Sequence, residues 1–103
     1  MVLAIDFDHT IHNPDDVKPG FRMGEPMPGA VDALLTLHRH GDTIIIFTAR
    51  DRFQPVEEWL QHFGIPYSRV TNVKPPEAEV FIDDRGLRFR GDWSVTLDEL
   101  AQI

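Results

Sequence analysis

The 103-residue sequence contains no cysteine. That absence excludes a disulfide framework, a thiolate metal site and a cysteine nucleophile. It also lacks any apolar run near the roughly 20 residues that span a bilayer. Its first residues pass straight into Val2-Leu3-Ala4-Ile5 with no basic leader, so no membrane association and a reducing cytoplasm are the expectation. Positive charge is scarce: 10 Lys plus Arg face 17 Asp plus Glu, for a net charge of -7. A broad nucleic-acid footprint is therefore not favoured. Arg85, Arg88 and Arg90, with Arg50 and Arg52, leave room for a local basic rim, beside the plainer reading of a solvated surface. No internal repeat and no low-complexity tract is present.

The hydrophobic share of 42% and charged share of 26% are those of an ordinary globular chain. The length suits one domain, 1-103, with no second core. Val2 to Phe7 is almost continuously apolar, as befits a strand covered on both faces in a parallel sheet. Residues 9-27 turn to Pro, Gly, Asn and charged types without a period, and read as a long loop or flap. From Pro28 to Gly41 an early proline, helical apolar spacing, late basic residues and a terminal glycine predict a helix.

Asp42 to Thr48, centred on Ile44-Ile45-Ile46-Phe47, predicts a second buried strand. Pro55 to Phe63, stopped by Gly64, predicts a second helix whose Trp59 and Phe63 are core residues rather than a stacking platform. Ile65 to Val70 reads as a weaker strand and Glu79 to Ile82 as another buried one. Trp93 to Ile103 reads as a short strand followed by a terminal helix. Alternating strands and helices predict an α/β domain with a mainly parallel sheet flanked by helices. One difficulty is the link from Val70 to Val80, which holds Pro75-Pro76 and is short for a parallel crossover.

Ligands of open α/β sheets bind beyond the carboxyl ends of the strands, and the apolar runs break into polar residues at those ends. Asp6 and Asp8 close the first run, Thr48 the second, and Asp83 with Asp84 a later one. Gathered carboxylates need a compensating cation. Magnesium suits them, because it binds through one or two carboxylates, waters and a substrate phosphate. The strand period of two puts Asp6 and Asp8 on one side if the strand continues, whereas a turn after Asp6 would separate their roles.

Asp6-Phe7-Asp8-His9-Thr10 resembles the DxDxT signature of the haloacid dehalogenase (HAD) superfamily, mostly phosphatases and phosphotransferases. Thr48 is similar to that family's second-motif hydroxyl, Lys74 to its third-motif lysine, and Phe81-Ile82-Asp83-Asp84-Arg85 to its acidic fourth motif. The resemblance spans residues 2 to 86, and its four-part order is more specific than any single motif. It implies a single Rossmannoid domain. The intervals after the first motif and before the third are too short for a cap domain, so a small capless type with an open site is expected.

The resemblance further implies a Mg2+-dependent phosphatase that hydrolyses a phosphate monoester through an aspartyl phosphate. Asp6 would be the nucleophile and a metal ligand. Asp8 would be the acid and then the base, with its backbone carbonyl on the metal. Thr48, Ala49, Arg50 and Lys74 would hold the phosphate, and Lys74 would also neutralise charge on the nucleophile. Asp83 would bind magnesium directly, while Asp84 would bind through water or orient Lys74. A carboxylate nucleophile divides one displacement into two easier ones, and a neighbouring acid/base meets the proton demand of each.

His9 stands where that family most often has glycine, and its bulk would narrow the entrance or touch substrate. With His12 it could suggest a zinc pair, but no further ligands follow at suitable spacing. The substrate class stays open between a small phosphorylated metabolite and a macromolecular end, and a homo-oligomer stays open too. The competing expectation is a non-catalytic phosphate- or partner-binding module on the same fold. Retention of both Asp6 and Asp8 counts against it.

Overall fold

The computed structural model describes residues 1-103. Four parallel strands form the main sheet. β1 (Val2–Asp6) is central, paired with β4 (Thr43–Phe47) on one side and β6 (Val80–Ile82) on the other. β5 (Arg69–Thr71) forms the edge beyond β4. Strand alternation puts Leu3 and Ile5 of β1 beside Ile44 and Ile46 of β4 on one face. All four are at most 2% exposed.

Helix α1 (Ala30–Arg39) and helix α2 (Gln54–His62) close this core through Ala30 and Leu34 on one helix and Val56, Trp59 and Leu60 on the other. The predicted helices thus form, α1 trimmed at both ends and α2 starting one residue early, at Gln54, and ending one residue early, at His62. Gly29, at φ +79, turns the chain into α1 in a conformation that side chains resist. No helix is long and apolar enough to cross a membrane.

Five expectations need correction. The predicted strand from Ile65 to Val70 shrinks to Arg69–Thr71, because Ile65 instead closes α2. Its N–H donates to the Leu60 carbonyl at 2.9 Å after Gly64 turns the chain, and its side chain joins the core. The strand expected to be buried from Glu79 to Ile82 forms as β6 but stays open, with Val80, Phe81 and Ile82 each about 40% exposed, because it lies at the sheet edge with no cover over its faces. The difficult link of Val70 to Val80 has a topological answer: β5 and β6 lie at opposite edges and never pair. Three strand spacings amount to about 14 Å, and residues 72 to 79 reach about 26 Å when extended. Pro75 is the buried anchor of that link.

Residues 9-27 are more than a loop over the surface. Their ends pair as β2 (His12–Asn13) and β3 (Glu25–Pro26), antiparallel, over a buried Ile11 and His12. Gly24 permits the closure: a Cβ there would lie 1.7 Å from the Asn13 carbonyl oxygen. Finally, no strand precedes the terminal helix. Asp92 caps α3 (Trp93–Ala101) by accepting from the Ser94 N–H at 2.9 Å, so the helix begins at once.

Candidate active site at the carboxyl edge of the sheet

The strand pairing of β1 ends at Asp6. Immediately beyond it, the Phe7 carbonyl accepts from the N–H groups of Thr10, Ile11 and His12, turning the chain sharply. Asp6 and Asp8 therefore face different surroundings. His9, inside this turn, has φ +67. Glycine would take that left-handed backbone without the steric cost imposed by a Cβ. The buried hydroxyl of Thr10 has no hydrogen-bond partner.

Asp6 opens into a cleft of about 820 Å³ whose walls include Ala49, Lys74, Asp83 and Asp84. Burial, the hydrogen-bonding proximity of the Asp84 carboxyl, and the charges of Asp84 and Asp83 raise the Asp6 pKa to about 6. The Phe7 N–H, donating to Asp6 Oδ1 at 3.0 Å, opposes the rise. Arg85 and Arg88 complete the rim, whereas Arg90 pairs with Glu99 at 2.9 Å. Lys74 makes no ion pair; its Nζ lies 4.7 Å from the centre of the Phe81 ring.

Asp8 does not line this cleft. Arg50 grips its carboxylate with two bonds, Nε to Oδ2 and Nη2 to Oδ1, each 2.9 Å, and His12 Nδ1 lies 2.8 Å from Oδ1. Burial alone would raise the Asp8 pKa, but the hydrogen bonds from Arg50 and His12 outweigh it and hold the group below its ordinary value. The histidine tautomer follows from the donors. Nε2 accepts from the Gly24 N–H at 2.8 Å, so the ring proton sits on Nδ1 and is donated to Asp8.

Burial lowers the His12 pKa against the raising effect of Asp8, in keeping with the neutral form. Both ring nitrogens are occupied, which disposes of the His9 and His12 zinc pair. Phe7 stacks on His12 at 4.9 Å and the edge of Trp59 closes on both rings at 5.2 Å. Trp59 Nε1 donates to the Gly24 carbonyl at 2.8 Å. The flap is thereby tied to α2 through Trp59 and to Asp8 through His12.

Thr48 is buried at the end of β4. Its N–H donates to the Thr71 carbonyl at 2.9 Å, and its hydroxyl accepts from the Arg50 N–H at 3.1 Å. It supports the turn carrying Ala49 and Arg50 and does not line the cleft. Asp83 likewise holds its own turn, with Oδ1 accepting from the N–H groups of Arg85 and Gly86. Asp84, the fourth-motif residue given the weaker metal role, is the one drawn to Asp6.

No three acidic or histidine side chains converge as a ready coordination shell. Magnesium does not require one, since it keeps waters and commonly takes one or two carboxylates together with substrate oxygens. Asp6 and Asp84, two acids whose proximity raises a pKa, form a donor pair that a small oxygen-seeking cation would relieve. The sequence offered His12 only as a partner of His9 in a zinc pair, not as a partner of Asp8. Its helix-like spacing from Asp8 was the available hint of the bond that forms.

No protein-family model matches the chain, and no curated protein does. A solved structure of a conserved protein from Bacteroides thetaiotaomicron is similar to it, at 26% identity and a TM-score of 0.64. The match covers 99% of this chain and 90% of the other. The likeness is one of overall fold.

Proposed function

We propose that the chain is a magnesium-dependent phosphohydrolase in which Asp6 attacks the phosphorus of a phosphate monoester. The observation that carries this reading is the convergence of Asp6 and Asp84 on one open cleft bordered by Lys74, Arg85 and Arg88. An acid pair suits a cation, and the basic side chains suit phosphate oxygens. A pKa of about 6 leaves Asp6 largely ionised at neutral pH.

In the first half-reaction an Asp6 carboxylate oxygen forms a bond to phosphorus while the ester P–O bond breaks, and Asp8 supplies the proton to the leaving oxygen. In the second, water attacks the aspartyl phosphate, Asp8 takes its proton, and the bond from Asp6 oxygen to phosphorus breaks to release inorganic phosphate. Magnesium, held by Asp6, Asp84 and the Asp8 carbonyl, would supply charge neutralisation at the transferring group. Arg50 must loosen its hold and Asp8 must take up a proton from solvent before the acid step, because the bonds from Arg50 and His12 favour its carboxylate form. A bound phosphate offers its guanidinium an alternative bidentate partner.

The grip of Arg50 and His12 on Asp8 also favours a second reading, a phosphate-binding module without turnover. Phosphate release with and without magnesium separates the two, using nucleotides, sugar phosphates and phosphorylated DNA ends. Turnover that needs magnesium and falls at least about a thousandfold in Asp6→Asn supports the enzyme. Magnesium-dependent phosphate retention without turnover supports the module.

A further inference from the structure

The carboxyl-terminal third leaves unusual amounts of apolar surface open. In α3, Trp93, Leu97 and Leu100 recur at helical spacing on one face and are 68%, 62% and 49% exposed. Phe89 extends that stripe, its ring 5.1 Å from Trp93. The helix has no extensive packing against any strand or other helix. At the sheet edge, Val80, Phe81 and Ile82 of β6 are each about 40% exposed, so both faces of this strand lack cover. Its outer edge has no partner strand.

The whole-molecule dimensions agree. The accessible surface is 7095 Å², against about 5,900 Å² for a compact monomer of 11.8 kDa. The radius of gyration is 15.1 Å, against about 13 Å for this length. The excess surface of about 1,200 Å² exceeds the roughly 800 Å² that each partner buries in a standard interface.

We infer that two copies of this chain form a two-fold dimer in which the arm from Leu87 to Ile103 of each copy covers β6 of the other. One chain carries both required surfaces, an amphipathic helix without a floor and a strand without a roof, so reciprocal exchange satisfies both at once. Charge permits the approach. Residues 85-103 hold Arg85, Arg88 and Arg90 against Asp92, Asp98 and Glu99, a net of zero, so the whole charge of -7 lies on residues 1-84. Copies meeting through their arms avoid the repulsion of their acidic bodies.

Sedimentation equilibrium of the full chain tests the inference without reference to activity. The wild type is expected at twice 11.8 kDa. Leu97→Asp is expected at the single mass with unchanged circular dichroism, while Val17→Asp, at an exposed flap position, retains the doubled mass. Because the native chain has no cysteine, oxidation of Val80→Cys/Leu97→Cys gives a second readout: a covalent dimer on a non-reducing gel. A wild type at 11.8 kDa up to about 100 µM, well above the micromolar range of ordinary weak interfaces, overturns the dimer. A doubled mass in folded Leu97→Asp, or a disulfide formed within single chains, overturns the arm exchange.

Discussion

The two sides of β1 are built differently. Toward β4, Leu3, Ala4 and Ile5 meet Ile44, Ile45 and Ile46, and helices α1 and α2 seal the face so that Leu3, Ile5, Ile44 and Ile46 are almost wholly buried. Toward β6, pairing is three residues long and the strand remains open on both faces. Nevertheless both sides deliver acidic residues to one cleft: Asp6 from β1 and Asp84 from beyond β6. A sealed side can fix backbone position rigidly, while an open side admits a ligand or another chain. The contrast places Asp8 in a locked hydrogen-bond network and Asp6 in an accessible one.

Truncation in the sealed half should have the largest effect on stability. Leu60→Ala removes a fully buried side chain and is expected to lower unfolding free energy by about 2–5 kcal/mol, measured by denaturant titration. Gly24→Ala tests whether the flap belongs to that half. Its new Cβ would overlap the Asn13 carbonyl, and a backbone shift costing about 1–3 kcal/mol is expected. Loss of near-ultraviolet dichroism from Trp59, which bonds the Gly24 carbonyl, would report the same displacement. An unchanged stability in either variant would erase the distinction between the halves.

A smaller effect lies at Asp6. With its folded pKa raised to about 6 from the ordinary value of 3.8, the folded protein holds this proton more tightly than the unfolded chain. The associated stability is present below about pH 4 and is lost as pH rises through about 6. In metal-free protein, Asp6→Asn should therefore be more stable than wild type above pH 6 by on the order of 1 kcal/mol after allowance for solvent screening. The difference should vanish near pH 4, as followed by thermal melts across that range. A wild-type advantage at pH 7 without metal would contradict the crowding of Asp6 by Asp84.

The smallest effect is expected in the open half. Leu97→Ala, measured at dilutions where the chain is monomeric, should change stability by no more than about 0.5 kcal/mol because its side chain is largely solvated. A cost comparable with that of Leu60→Ala would mean that α3 belongs to the monomer core.

Much of this contrast was legible in the sequence, but unevenly. The apolar runs of Val2 to Phe7 and Ile44 to Phe47 predicted the paired central strands because buried parallel strands tolerate little charge. The glycine and proline around Ala30 to Arg39 marked α1 through local backbone chemistry. Residues 9-27 were harder, since their order depends on His12 reaching Gly24 and Trp59 reaching back from α2. Such bonds leave no periodic signal. The Ile65 segment likewise carried strand composition, and the C-terminal closure of α2 overrode it.

By itself the sequence determined the α/β alternation and the order in which Asp6, Asp8, Thr48, Lys74, Asp83 and Asp84 arrive, because burial and turn chemistry are local constraints on each segment. Tertiary structure decided which carboxylates meet. Arg50, 42 positions from Asp8, captures that side chain. The Arg85 and Gly86 amides capture Asp83, and Asp84 is left to approach Asp6. The physical reason is that a carboxylate takes the nearest donors the fold presents, and those donors come from distant segments or from turns formed only when the strand ends have been brought together.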